Sequence, residues 1–189
     1  MSFFNSKAFK QGISFGIVSS TMTVLGVSIG MWTSGGKIDT LIASILGLSI
    51  SNSFADSFSM YMANTAIKNS NIALTSSLVT GGIEFLLPFL FTIPLIFLKL
   101  ETAIYTNIIL GFLLVGGMGY YVSVLNNLSS YMTIRQIIFY LLVLAGILIS
   151  TSLSGKLIAK IKPDITNLNN RITKNDGDDD KKEMGKSEK

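Results

Sequence analysis

The chain has 189 residues, 49% of them hydrophobic and only 14% charged, with a mean hydropathy of +0.54. Soluble domains usually carry roughly 25% charge, so this composition argues against a water-soluble fold. His and Cys are both absent, which excludes imidazole or thiolate zinc sites, disulfide frameworks, His-ligated haem and every catalytic triad or dyad needing either residue.

Between Gln11 and Gly155 only eight charged side chains occur, and most of them punctuate the chain at regular intervals. A bilayer-crossing helix needs about 20 mainly apolar residues. The punctuation therefore predicts five helices, at about 12–34, 39–66, 72–98, 102–125 and 134–159. Together they define an all-α membrane domain over 1–161. The first segment follows Lys7 and Lys10, but its apolar run is longer than a signal-peptide core and no small-x-small cleavage site closes it, so it reads as a retained helix. Within it Gly12, Gly16, Ser19, Thr23, Gly26 and Gly30 form a seam of small residues, which lets helix backbones approach closely in lipid. Its partner is either another helix of the chain or the same helix of a second copy.

The second and third segments carry the chemistry. Asp56 and Glu84 are the two ionisable residues deep inside the spans, and each costs about 2.5–3.5 kcal/mol at a helix centre, which marks a functional site by default. Counted from the turn near 67–71, both lie about 16–20 Å deep at 1.5 Å per residue, so they are expected to face each other. Two carboxylates at one depth repel unless a cation or a shared proton sits between them. Asn52, Asp56, Ser59 and Met60 recur at helical spacing and predict one ligand-bearing face on the second span. Pro88 has no N–H, so the carbonyl of Glu84 loses its helical partner and becomes a further free oxygen. Carboxylates with a thioether suit Mn(II) or Fe(II) better than zinc or Cu(I). The expected metal ligands are thus Asp56, Met60, Glu84, Asn52 and Ser59, with the Ser19 and Thr23 face as auxiliary oxygens.

The last segment gives way to a charge-dense stretch over 162–189 in which hydrophobicity collapses, so that this tail is expected to be disordered. Its DGDDD run lacks the ligand spacing and closing Glu of a calcium loop. Most cations and most anions of the chain sit together after residue 155, so the net charge of +4 gives no reason to expect a nucleic-acid partner. The distribution of Lys and Arg leaves the orientation open.

Four stretches, FGIVSSTMTVLGVSIG, LGLSISNSFADSFSMYMAN, GGIEFLLPFL and GILISTSLSGKLI, resemble the vacuolar iron transporter family over about residues 10–160. FADSFSM, close to the family's Ala-Asp-Gly-Phe-Ser-Met run, is the most specific of the shared features. The resemblance implies a five-helix homodimeric carrier, with a cytosolic N-terminus, that moves Fe(II) and often Mn(II) out of the cytosol in exchange for protons. It implies metal-path roles for Asp56 and Met60. It also implies a multi-pass protein of the vacuole or another internal membrane in a eukaryote, or of the plasma membrane in a prokaryote. Phe15 stands where the family usually has an Asp, Asn64 near the usual Glu, and Glu84 where an apolar residue is usual. Glu84 thereby compensates in charge for the acid missing at Phe15. The short link between the second and third helices leaves no room for the metal-binding insert of longer members. The metal is substrate, and no resident cofactor is expected. Two other readings stay open, a transport-inactive membrane scaffold and a passive small cation channel. No nucleophile–base pair or cofactor motif supports an enzyme.

Overall fold

A computed structural model describes residues 6–67 and 70–187, leaving out the side chains of 70, 71, 164, 165 and 167–187. The described residues form five helices and no strand: α1 (Lys7–Thr33), α2 (Ile38–Ala66), α3 (Ser70–Phe97), α4 (Leu100–Leu125) and α5 (Ser130–Ser187). All five contain a stretch long and apolar enough to cross a membrane, which is the architecture of a multi-pass membrane protein. Large apolar side chains such as Phe54, Phe58, Leu86, Leu113 and Leu153 point outward, as a bundle solvated by lipid requires.

Helices α1 and α5 start several residues earlier than hydropathy predicts because a serine caps each of them. Ser6 Oγ accepts the Phe9 N–H at 3.2 Å and opens α1. Ser129 Oγ accepts the Met132 N–H at 3.5 Å and opens α5, so that 130–133, expected between the last two helices, are helical. Between α1 and α2 the chain reverses at Gly35, whose φ of +75° suits glycine, while the Gly36 N–H closes onto Met31 O at 2.8 Å. The backbone of α5 continues past Pro163 to Ser187. The expected disordered tail falls largely on side chains and residues outside those described.

Helix α1 packs against the other four and is the centre of the bundle, whereas the membrane-crossing part of α5 is almost wholly on its outside. The small-residue seam explains that position, and its partners lie within the chain. A side chain at Gly12 or Gly16 would collide with α3, at Ser76 and Val79 or at Thr80 and Ile83. Farther along, Gly26 and Gly30 face Ile147 and Thr151 of α5. The seam thus changes partner halfway along α1, from α3 to α5.

The bundle is divided along its length. Toward the C-terminal end of α1, Val24, Leu25, Ile29, Leu41, Ile45, Phe91, Leu95 and Ile104 form a continuous apolar core. Toward its N-terminal end the contacts are small and polar. Thr80 Oγ1 donates to Gly12 O at 3.3 Å, and Asn64 Nδ2 donates to Met60 O and Ser76 Oγ, both at 3.0 Å. The two acids sit where these halves meet.

Candidate functional site

Asp56 and Glu84 come together inside the bundle, as their equal depths predict. Ser19 Oγ of α1 donates to Asp56 Oδ2 at 2.8 Å. Glu84 of α3 adjoins both Asp56 and Ser19 and, at only 1% exposed, is shut off from solvent. A carboxyl buried against a second carboxyl is costly unless a proton or a cation sits between them, so the pair needs an explanation in function or in an ion.

Pro88 has the expected effect with an outcome the sequence does not disclose. Ser49 of α2 reaches across to α3, donating to Phe85 O at 2.7 Å and lying 3.4 Å from Glu84 O. The carbonyl released by the proline is therefore shared with a neighbouring hydroxyl, and the backbone around Glu84 is tied to α2 just above the acid pair.

A small cleft of about 10 Å³ abuts Glu84, walled by Ser20, Thr23, Ser49 and Asn52 and by the apolar Val24, Leu48 and Pro88. Two larger grooves flank it. One, of about 670 Å³, follows the N-terminal half of α1 and is bordered by Phe15, Ser19, Met60 and Tyr140. The other, of about 530 Å³, follows the C-terminal half between α1 and α5 and is bordered by Thr23, Gly26 and Thr151. Ser19 and Thr23, one helical turn apart, thus separate two grooves with the acid pair and its small cavity between them.

The five expected ligands divide accordingly. Asp56 and Glu84 meet directly, Asn52 lines the cavity against Glu84, and Met60 is buried on the wall of the first groove beside Ser19. Ser59 is a correction: it is exposed on the outside of α2 and is not brought to the acids. At 100° per residue it lies roughly 110° from the buried row of Ser49, Ser53, Met60 and Asn64, a rotation that spacing alone could not anchor on a helix apolar all round. Of the expected auxiliary oxygens, Ser19 holds Asp56 and Thr23 borders the cavity. Ser20 and Ser49 were not anticipated. Their polar positions on α1 and α2 carry no sign, in the sequence, of which neighbour they face.

Among the described residues there is no group of three or more acidic side chains. A cation here would have two carboxylates at most, completed by hydroxyl, amide, thioether and main-chain groups. The fold and site together define a five-helix membrane bundle with an acid pair inside it, Glu84 buried and Asp56 half-buried. Family models, curated proteins and solved structures were all compared with the chain, and none matches.

Proposed function

We propose that the protein is a homodimeric secondary carrier that moves Fe(II) and/or Mn(II) out of the cytosol in exchange for protons. The observation that carries this reading is the contact between the buried Glu84 and the half-buried Asp56. Two carboxylates balance the charge of one divalent ion, and two protons balance the same charge when the ion leaves. The pair can therefore exchange one for the other without a net buried charge, the condition that low dielectric imposes. Met60 adds a soft donor beside Ser19 and Asp56, favouring a borderline ion over magnesium or calcium. The grooves on either half of α1 supply an approach from each side, with Ser19 and Thr23 as the divide.

The test is Mn(II) or Fe(II) uptake into proteoliposomes driven by an imposed pH gradient. Asp56→Asn and Glu84→Gln should each lower the initial rate at least tenfold. Unchanged rates in both variants contradict the proposed site. Phe15, whose ring lines the first groove where the resembled family places an acid, favours as second reading a transport-inactive scaffold. That reading requires the wild-type protein to show no metal uptake at all. A passive channel would conduct without saturation and without a proton gradient.

A further inference from the structure

The larger groove beside α1 has a polar, cationic mouth and apolar walls. Lys10, Gln11 and Asn126 border it at the end of the bundle where α1 begins and α4 stops. Phe15, Val18, Val122 and Leu125 wall it farther along. We infer that this groove binds one anionic phospholipid, with the phosphate at Lys10 and an acyl chain along the apolar walls.

Charge on this end of the bundle is one-sided. The end is built from the start of α1, the α2–α3 turn and the α4–α5 turn, and the sequence has no Asp or Glu before Asp39, between Asp56 and Glu84, or between Glu101 and Asp164. Lys7, Lys10 and Arg135 therefore lie there with no acid in the same segments to balance them. The opposite end mixes the signs, Lys37 standing beside Asp39 and Lys99 beside Glu101. A basic membrane face attracts anionic lipid, and a basic recess between membrane helices takes a phosphate headgroup.

Among the three cations Lys10 is singled out by its place. Lys7 and Arg135 are exposed and do not border the groove, whereas Lys10 is half-buried on its wall. A lysine in that position lays its apolar stem along the wall and carries its charge to the headgroup level. Asn126 gives one N–H to Val122 O at 2.9 Å and keeps the other for a phosphate oxygen. From Lys10 to Ser19 the groove follows nine residues of α1, about 14 Å of helix. Its volume of about 670 Å³ is that of a site for an extended organic ligand, not for a bare ion. In a bundle whose solvent is lipid, an acyl chain is the apolar group at hand to fill it.

The inner end of the groove lies at Ser19 and Met60, beside Asp56. A seated chain and a metal approaching Asp56 by this route exclude each other, and this consequence alone rests on the carrier reading.

The experiment is native mass spectrometry of the purified full-length protein, released from detergent in the presence of a metal chelator after addition of dioleoylphosphatidylglycerol or dioleoylphosphatidylcholine. The wild type should retain one phosphatidylglycerol per chain with at least tenfold higher affinity than phosphatidylcholine. Lys10→Ala should remove most of that preference and Lys7→Ala should leave it unchanged. Val18→Trp, which fills the groove and keeps every charge, should abolish retention. Equal affinity for the two lipids overturns the site, as does unchanged retention in Val18→Trp. An equal loss in Lys7→Ala and Lys10→Ala also overturns it, being the pattern of diffuse attraction to a basic surface. Should Val18→Trp fail to fold, the comparison of the two lysine variants carries the decision. The same spectra count chains, and a lipid-free wild-type dimer that Val18→Trp splits would make the groove a contact between copies and overturn the lipid site. Lipid retention without metal uptake in proteoliposomes defeats only the carrier, and metal uptake without lipid retention defeats only this site.

Discussion

Ser19 Oγ donates to Asp56 Oδ2 over 2.8 Å and thereby fastens the middle of α1 to the acid on α2. The same serine adjoins Glu84 on α3, so one hydroxyl touches the chemistry of three helices at their common crossing. It also borders the larger groove. Whatever reaches Asp56 from that side passes this hydroxyl.

Ser19→Ala removes the donor while leaving both carboxyls in place. Hydrogen bonds to charged groups contribute about 1.5–3 kcal/mol, and Asp56 is only half-buried, so the expected loss of stability is about 1–2 kcal/mol. Thermal unfolding in detergent should show it as a lowered midpoint. An unaltered midpoint means that water replaces the serine at no cost.

The link between Ser49 and Pro88 calls for a double-mutant cycle. Ser49 Oγ serves the carbonyls of Phe85 and Glu84, and Pro88 is the reason Glu84 O lacks its helical donor. Ser49→Ala should cost about 1 kcal/mol in the wild type and measurably less when Pro88→Ala restores the helical N–H. Equal costs in both backgrounds would dissociate the serine from the proline.

Gly12 and Gly16 of α1 are predicted to differ sharply from Gly47 and Gly117. At Gly12 an added Cβ meets Ser76 O and Val79, and at Gly16 it meets Ile83 and Thr80 O. Gly12→Val and Gly16→Val should each destabilise by about 1–3 kcal/mol, because the backbones of α1 and α3 must part. At Gly47 and Gly117 nothing lies within 4 Å of such a Cβ, so Ala there should be neutral or stabilising by up to about 1 kcal/mol. Unfolding midpoints of the four variants decide whether the seam is an α1–α3 contact.

Asn64 provides a control that separates structure from transport. Its amide bonds Met60 O and Ser76 Oγ, holding α2 to α3 one turn beyond Met60. Asn64→Leu should lower stability by about 1–3 kcal/mol through the broken pair. Surviving protein should keep its apparent metal affinity, since Asn64 borders none of the cavities around the acids. A large rise in the metal concentration for half-maximal uptake would place Asn64 in the path instead.

Much of this architecture is legible in the residues, for identifiable reasons. Rare charges such as Lys37, Lys99 and Arg135 divide the apolar chain into five lengths set by bilayer thickness. The fixed rise of a helix gives the common depth of Asp56 and Glu84. Rotation is where the reading fails. In a helix apolar on every side, no polar face fixes the angle, so spacing points Ser59 inward although it lies outside. The same blindness hid Ser20 and Ser49, whose importance comes from the neighbour opposite each. Helix ends were also missed at Ser6 and Ser129, because capping depends on single side chains rather than on average hydropathy.

The central claim is that Asp56 and Glu84 hold one divalent ion between them, and direct Mn(II) binding to the purified protein, followed by electron paramagnetic resonance, tests it most closely. The wild type should bind one Mn(II) per chain, with affinity falling at least tenfold in Asp56→Asn and in Glu84→Gln and no further than the worse of the two in the double variant. Tight Mn(II) binding that survives both substitutions together would contradict the claim, whatever transport the protein performs.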